Sequence, residues 1–155
     1  MFILGHEQIL SKYAPIVHKV AYIRTGSKFD ADDIMQEVFL RFINCGTIFN
    51  DENHIKSWLI RAAVNCSKNL LSSLWFTKTQ GLDDSLRTQE PHCDEVLPIV
   101  MNLPEKHRVV ILLFYYEDMT TAEIAEALGK KEPTVRSLLH RARLQLKEML
   151  GDDFE

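Results

Sequence analysis

Apolar residues recur at intervals of three and four along most of this chain. In the first stretch Ile9, Tyr13, Ile16, Val17, Val20 and Ile23 fall on one side of a helix, because a turn of 3.6 residues brings such positions together. Residues 31–43 predict a second helix. Asp30 is its expected N-cap, and Asp32 and Asp33 sit in the first turn, where carboxylates meet the positive end of the helix dipole. A third helix is predicted over residues 56–71, with Trp58, Leu59, Ala62, Ala63, Cys66 and Leu70 available for packing. Pro104 opens a fourth, whose apolar run continues through residues 109–116. Taken alone that run would also suit a buried strand, but its neighbours favour helix. No alternating segment bounded by Asn-Gly or Asp-Gly occurs, so the predicted fold class is all-α.

The pattern is most specific near the C-terminus. Thr120-Thr121-Ala122-Glu123 has the form of a capping box, with Thr120 at the cap and Glu123 at the third helical position. The short helix after it presents Ile124, Ala125 and Leu128 and stops at Gly129, a residue suited to a left-handed position. Pro133 fits the first position of the next helix. That helix gathers Val135, Leu138, Leu139, Ala142 and Leu146 in one arc. At about 100° per residue, Thr134, Arg136, Ser137, His140, Arg141, Arg143 and Lys147 lie across from it. Helix, glycine turn and basic helix make a helix-turn-helix, whose second helix enters the major groove of DNA. A solvated basic face would account for the charge alone. Capping box, turn glycine, proline start and segregated charge together favour DNA binding.

Charge sharpens this reading. The 155 residues carry 18 Lys plus Arg against 22 Asp plus Glu, a net charge of -4, which excludes a uniformly basic nucleic-acid binder. Basic residues nevertheless concentrate between Lys130 and Lys147, where Glu132 is the one acid. Residues 74–95 are polar and acidic, with Gly81 and Pro91 and no helical period, and are expected to be a flexible linker. The predicted organisation is therefore a helical domain over 1–73, the linker 74–95, a second helical domain over 96–150, and an acidic tail over 151–155. Cys45, Cys66 and Cys93 are odd in number and far apart, which argues against a disulfide framework or a zinc knuckle. No signal-peptide stretch or membrane span is legible, so a soluble, intracellular chain is expected.

The second predicted helix is unusual in being apolar almost all round. Asp33, Gln36 and Glu37 share one face, Ile34, Val38 and Phe42 another, and Met35, Phe39 and Leu40 fill much of the rest. Such a helix often has a second protein against it. On the third helix Arg61, Asn65, Lys68, Asn69 and Ser72 form a polar stripe. A solvated face is the simpler reading of that stripe; following a DNA backbone or meeting unstacked bases is the alternative.

Taken in order, these segments resemble a known family. Tyr13-Ala14-Pro15, the run from Asp30 through Asp33-Ile34-Met35-Gln36-Glu37-Val38-Phe39-Leu40-Arg41, then Ser57-Trp58-Leu59-Ile60-Arg61 and Asn65 resemble domain two of bacterial RNA polymerase sigma factors. Leu103-Pro104-Glu105-Lys106-His107-Arg108-Val109-Val110, Thr121-Ala122-Glu123-Ile124-Ala125-Glu126-Ala127-Leu128-Gly129, Thr134-Val135-Arg136-Ser137 and Leu139-His140-Arg141-Ala142-Arg143 resemble domain four. The short length without a third domain resembles the extracytoplasmic-function (ECF) group.

The resemblance implies a cytoplasmic transcription initiation factor with no cofactor or metal. Its implied partners are core RNA polymerase, through the β′ clamp helices and the β flap, promoter DNA, and an anti-sigma factor. It implies that Asp33, Gln36 and Glu37 bind polymerase, and that the loop 44–53 captures a flipped base of the upstream-ten element. Arg61, Asn65, Lys68 and Asn69 would lie along that element. Thr134, Arg136, Ser137, His140, Arg141 and Arg143 would bind the upstream-thirty-five element. The family usually has basic residues where Val64, Ser72 and Ser73 stand, and Arg where Leu138 stands; each missing phosphate contact would lower affinity.

Other classes fit less well. A response-regulator output domain shares the C-terminal motif but needs an α/β receiver, and residues 1–73 contain no strand pattern. Asp32, Asp33, Glu37 and His54 could be drawn as metal ligands, yet acids in a first helical turn are ordinary dipole partners. The six glycines are scattered, and no nucleophile–base motif occurs, so no enzyme is expected. A sigma-like adaptor that holds polymerase without reading promoters is the remaining alternative.

Overall fold

The computed structural model describes residues 5–78 and 97–150; the predicted acidic tail and residues 79–95 of the predicted linker lie outside them. Among the described residues every regular element is helical. The chain divides into two compact units, Met1–Gln89 and Glu90–Glu155.

The first unit is a three-helix bundle of α1 (His6–Thr25), α2 (Lys28–Asn44) and α3 (Glu52–Lys78), each packed on the other two. All six predicted apolar positions of α1 are buried, as are Ile34, Val38 and Phe42 of α2 and Ile55, Leu59, Ile60 and Ala63 of α3. Each fully buried Leu or Ile contributes roughly 1.5–3 kcal/mol of transfer free energy, so packing rather than helix propensity holds the bundle.

The turn between α1 and α2 corrects the predicted cap. Gly26 ends α1 at φ 70°, a left-handed conformation that glycine adopts without a Cβ clash, and its N–H donates to the Tyr22 carbonyl at 2.7 Å. Ser27, not Asp30, then caps α2: its Oγ accepts from the Asp30 N–H at 3.2 Å. Because Gly26 turns the chain so early, Asp30 already lies in the first helical turn. The third helix likewise starts before the predicted Lys56, since Asp51 Oδ1 accepts from the His54 N–H at 2.8 Å. It runs through Lys78, past the predicted end at Leu71.

A polar chain crosses the mostly apolar interior of this unit. Arg24 Nε donates to Ser67 Oγ, and Ser67 Oγ donates to the Val64 carbonyl at 2.7 Å, with Arg24 and Ser67 both buried. It ties the end of α1 to the backbone of α3.

The second unit contains α4 (Leu97–Val100), α5 (Glu105–Ile111), a π-turn over Leu112–Tyr116, α6 (Thr121–Leu128) and α7 (Glu132–Leu150). The run 109–116 is helical, as its neighbours predict, but its second half widens to i→i+5 bonding. Val109 through Leu113 are buried in unbroken succession. Within the widened turn Leu112 and Leu113 stay buried and Tyr115 is exposed. Helix α7 packs on α4, α5 and α6 and supplies Val135, Leu138, Leu139, Ala142 and Leu146 to the core, the five residues of the predicted arc.

Candidate protein and nucleic-acid binding surfaces

In the first unit, burial of Ala31, Ile34, Val38 and Phe42 directs the opposite side of α2 outward. Asp33, Gln36 and Glu37 are all exposed on it. Glu37 accepts from Arg41 Nε at 2.8 Å, one helical turn on, and that bond raises the Arg41 pKa. Beside these polar groups stand Leu40, 57% exposed, and Ile43, 43% exposed. Gln36, Leu40 and Ile43 follow one another at i, i+4 and i+7, so the outward stripe mixes apolar with polar side chains. Leu40 was legible in the sequence as part of the all-round apolar pattern. Ile43 follows from the same helical spacing, three residues further on.

Asp33, Glu37 and Arg41 also edge an open cleft of about 270 Å³ between α2 and α3, completed by Ile34, Cys66, Asn69 and Leu70. Asn69 belongs to the other predicted stripe, so the two predicted faces of this unit adjoin along one groove. Burial pushes the Cys66 thiol up from its ordinary pKa, which disfavours the reactive thiolate. On α3 itself Arg61, Asn65, Lys68 and Asn69 are exposed along one side. Val64 is buried, so the apolar residue there belongs to the core and takes no cation away from this stripe. The side chains of Ser72 and Ser73 lie outside the described residues.

The loop between α2 and α3 is built around Phe49. Its ring packs 5.4 Å from Phe42, 5.0 Å from His54 and 6.2 Å from Trp58. Gly46 turns the chain at φ 64°, where a side chain would be strained. With Phe49 anchored, its neighbour Ile48 is held out at 88% exposure. The sequence signal was an Ile-Phe pair within an otherwise polar loop; which of the two faces outward required the structure. The residues imagined as metal ligands are engaged separately. Asp32 Oδ1 meets His18 Nε2 at 2.9 Å, and His54 Nδ1 accepts from the Asn50 N–H at 3.2 Å.

In the second unit the capping box forms as predicted. Thr120 Oγ accepts from the Glu123 N–H, and Glu123 Oε1 accepts from the Thr120 N–H, each at 3.1 Å. Gly129 takes φ 67°, and the Lys130 N–H reaches back to the Ala125 carbonyl at 2.9 Å, closing α6. Helix α7 begins at Glu132, so Pro133 is its second residue rather than its first. Thr121 Oγ donates to Glu132 Oε1 at 3.0 Å and locks the starts of α6 and α7 together.

Thr134, Arg136, Ser137, His140, Arg141 and Arg143 are all exposed on α7. Arg136 lies 3.9 Å from Glu132 in a loose i,i+4 pair, worth little at such exposure. Arg143 differs. Its Nε donates to Tyr115 Oη at 2.7 Å, and its guanidinium carbon stands 5.0 Å from the Phe114 ring centre and 5.6 Å from that of Tyr115. Leu138 is buried, so a cation at that position would face the core rather than a ligand. No helix among the described residues is long and apolar enough to cross a membrane.

Comparison with known proteins agrees with this division. Residues 9–77 match Sigma-70 region 2, and residues 94–146 match Sigma-70 region 4. The ECF RNA polymerase sigma factor SigL of Mycobacterium tuberculosis is 31% identical over 156 aligned positions, covering 91% of this chain and 88% of that protein. SigW of Bacillus subtilis, another ECF RNA polymerase sigma factor, is 27% identical over 93% of this chain and 88% of its own length. Among solved structures, the sigma factor RpoE of Bartonella quintana, in complex with the anti-sigma factor NepR, superposes with a TM-score of 0.75 at 18% identity, covering 95% of this chain and 97% of that one. CnrH, in complex with the cytosolic domain of CnrY, gives 0.68 at 21% identity, over 96% and 88% of the respective chains.

Proposed function

The chain belongs to the ECF RNA polymerase sigma factors, and from that premise we propose how its exposed faces divide the work of initiation. As a member of that family it binds core RNA polymerase and directs it to promoters.

The outward side of α2 docks on the clamp helices of the β′ subunit. Asp33, Gln36 and Glu37 supply the polar contacts, and Leu40 and Ile43 supply apolar area that water would otherwise cover. The loop around Ile48 takes a base flipped from the upstream-ten element. Unstacking that base costs a few kcal/mol, which contact with the loop and with α3 offsets. Arg61, Asn65, Lys68 and Asn69 follow the strand beside it.

In the second unit α7 enters the major groove at the upstream-thirty-five element, while the unit also meets the β flap. Recognition helices read bases chiefly with their N-terminal residues, so Thr134, Arg136, Ser137, His140 and Arg141 are the readers. An arginine among them can bond a guanine edge with two hydrogen bonds, and the others fix register on phosphates.

The protein works in the cytoplasm without cofactor or metal, catalyses nothing itself, and is held inactive by an anti-sigma factor. RpoE, a fold relative, is solved in complex with the anti-sigma factor NepR. The observation that carries the assignment is the coincidence of each family match with a helical unit whose candidate residues are all exposed. Burial of Val64 and Leu138 supports promoter reading over the adaptor alternative, because apolar residues at those sites serve the core. The test is transcription in vitro with purified core polymerase on a library of genomic promoters. Starts that depend on this protein and share two upstream elements at fixed spacing are expected. Polymerase binding without new starts would replace this reading with the adaptor.

A further inference from the structure

We propose that Arg143 is a positioning residue for promoter reading: clasped by Phe114 and Tyr115, it sets the roll of α7 and makes no phosphate contact. The proposal rests on the DNA-reading role of α7 given above and separates Arg143 from Arg141, its neighbour two residues away in the same basic run.

The π-turn makes the clasp. By ending α5 in a widened turn, the chain brings Phe114 and Tyr115 into edge-to-face contact, ring centres 5.0 Å apart and planes 76° apart. The Arg143 guanidinium lies against this corner, near both ring faces, with its Nε–H bonded to the Tyr115 hydroxyl. A planar cation suits such a site better than an ammonium does, because it stacks and donates at once. The clasp engages the Nε–H and the guanidinium face, so swinging away to follow a phosphate would cost Arg143 both rings and the hydroxyl. Among the described residues Arg141 makes no hydrogen bond or ion pair.

Position along and around the helix points the same way. Seven residues separate Arg136 from Arg143, about 10 Å of rise, which moves Arg143 away from the end of α7 that reads bases. Around the helix, Leu139, Ala142 and Leu146 form the buried seam. Arg143 flanks that seam on one side. On the other flank Gln145 Oε1 bonds the ring of His107, a buried residue of α5. Two polar ties, one on each side of an apolar seam, fix the angle at which α7 presents Arg136, His140 and Arg141. The seam alone would tolerate a small roll, because dispersion contacts have no direction.

The test is the salt dependence of binding between the full chain and a fluorescein-labelled DNA duplex of mixed sequence, read by anisotropy. Each lost phosphate contact makes the slope of log affinity on log salt shallower by about 0.9. Arg141→Ala is expected to show that change. Arg143→Ala is expected to weaken binding by up to about tenfold with its slope close to wild type, and Arg143→Lys is expected not to restore it. Tyr115→Phe, which keeps the ring and removes only the hydroxyl, should act in the same direction and more weakly. Combined with Arg143→Ala it should add almost nothing, as expected of residues in one network.

A slope for Arg143→Ala as shallow as that of Arg141→Ala, with both slope and affinity restored by Arg143→Lys, would overturn the proposal in favour of a direct phosphate contact. If the wild-type chain bound no duplex at all, the DNA-reading role of α7 would fall, and the promoter part of this proposal with it. A double-mutant cycle on urea stability with the same Arg143 and Tyr115 variants needs no DNA. Absence of coupling there would refute the clasp independently.

Discussion

Helices α2 and α7 are built alike and exposed differently. Each buries one apolar seam, and each directs the opposite side to solvent. On α2 that side keeps Leu40 and Ile43 among its acids, whereas the first half of α7 offers Thr134, Arg136, Ser137, His140 and Arg141 and no exposed apolar residue of size. Exposed apolar residues return on α7 only at Leu144 and Met149. A protein partner can cover apolar area and gains by doing so. A DNA groove offers phosphates and base edges, which reward charge and hydrogen-bond donors. On the proposed division of work, one chain carries two amphipathic helices whose outer faces suit different partners.

The strongest way to break this comparison is on α2. Leu40→Asp is expected to lower affinity for core RNA polymerase by about 3 kcal/mol, about a hundredfold, as for a central interface anchor. Its thermal midpoint should barely move, because Leu40 is exposed; an unchanged polymerase binding curve would place the docking surface elsewhere. On α7, Arg136→Ala and Arg141→Ala are each expected to cost about 1–2 kcal/mol of promoter duplex affinity while polymerase binding stays at the wild-type value. Equal losses in both assays would erase the division between the two helices.

A smaller effect sharpens the contrast. Thr120→Ala and Ser27→Ala each remove a helix cap and should each lower stability by about 1 kcal/mol in urea titrations. Only the Thr120 change should also weaken duplex binding, since it loosens the helix that supports α7. The smallest effect concerns Cys66. Its thiol pKa is raised by burial, so the folded state favours the protonated form. Stability from this group is therefore complete below the ordinary thiol range and lost as pH climbs through the raised value. Iodoacetamide at neutral pH should label the half-buried Cys45 well before Cys66, which mass spectrometry of the digested protein would read directly.

Much of this molecule was legible in the residues because its signals are local. The period of α1, the seam of α7, the Thr120–Glu123 box and the Gly129 stop all follow from spacing within one or two turns, and the structure realises each. Where two residues could both cap, as Ser27 and Asp30 could, the choice depended on Gly26 turning left-handed first, which the pattern does not encode. The π-turn was invisible for another reason: an apolar run looks the same whether its bonds close at i+4 or i+5, and the decision is made by the core around it. The clasp on Arg143 spans 28 residues, beyond the reach of any periodicity. Basic residues along α7 read as equivalent in sequence, and only the position of Phe114 and Tyr115 sets one of them apart. Family resemblance marks Val64 and Leu138 as missing cations; the helical arc already placed Leu138 inward, whereas the burial of Val64 depends on the helices packed around it.

The polar chain from Arg24 through Ser67 to the Val64 carbonyl has a consequence for how this bundle can diverge. Most of its interior is interchangeable hydrocarbon, and Ile, Leu and Val can trade places there at modest cost if volume is kept. Arg24 and Ser67 cannot drift in that way. Ala in place of Ser67 would remove the acceptor of the Arg24 Nε–H, and an apolar residue in place of Arg24 would remove the donor to the Ser67 hydroxyl, each at a cost of about 1–3 kcal/mol. Sliding α3 along α1 by one residue would incur the same penalty, because the serine would no longer stand opposite the arginine. The pair therefore acts as a detent, a single notch that favours one axial setting of α3 against α1.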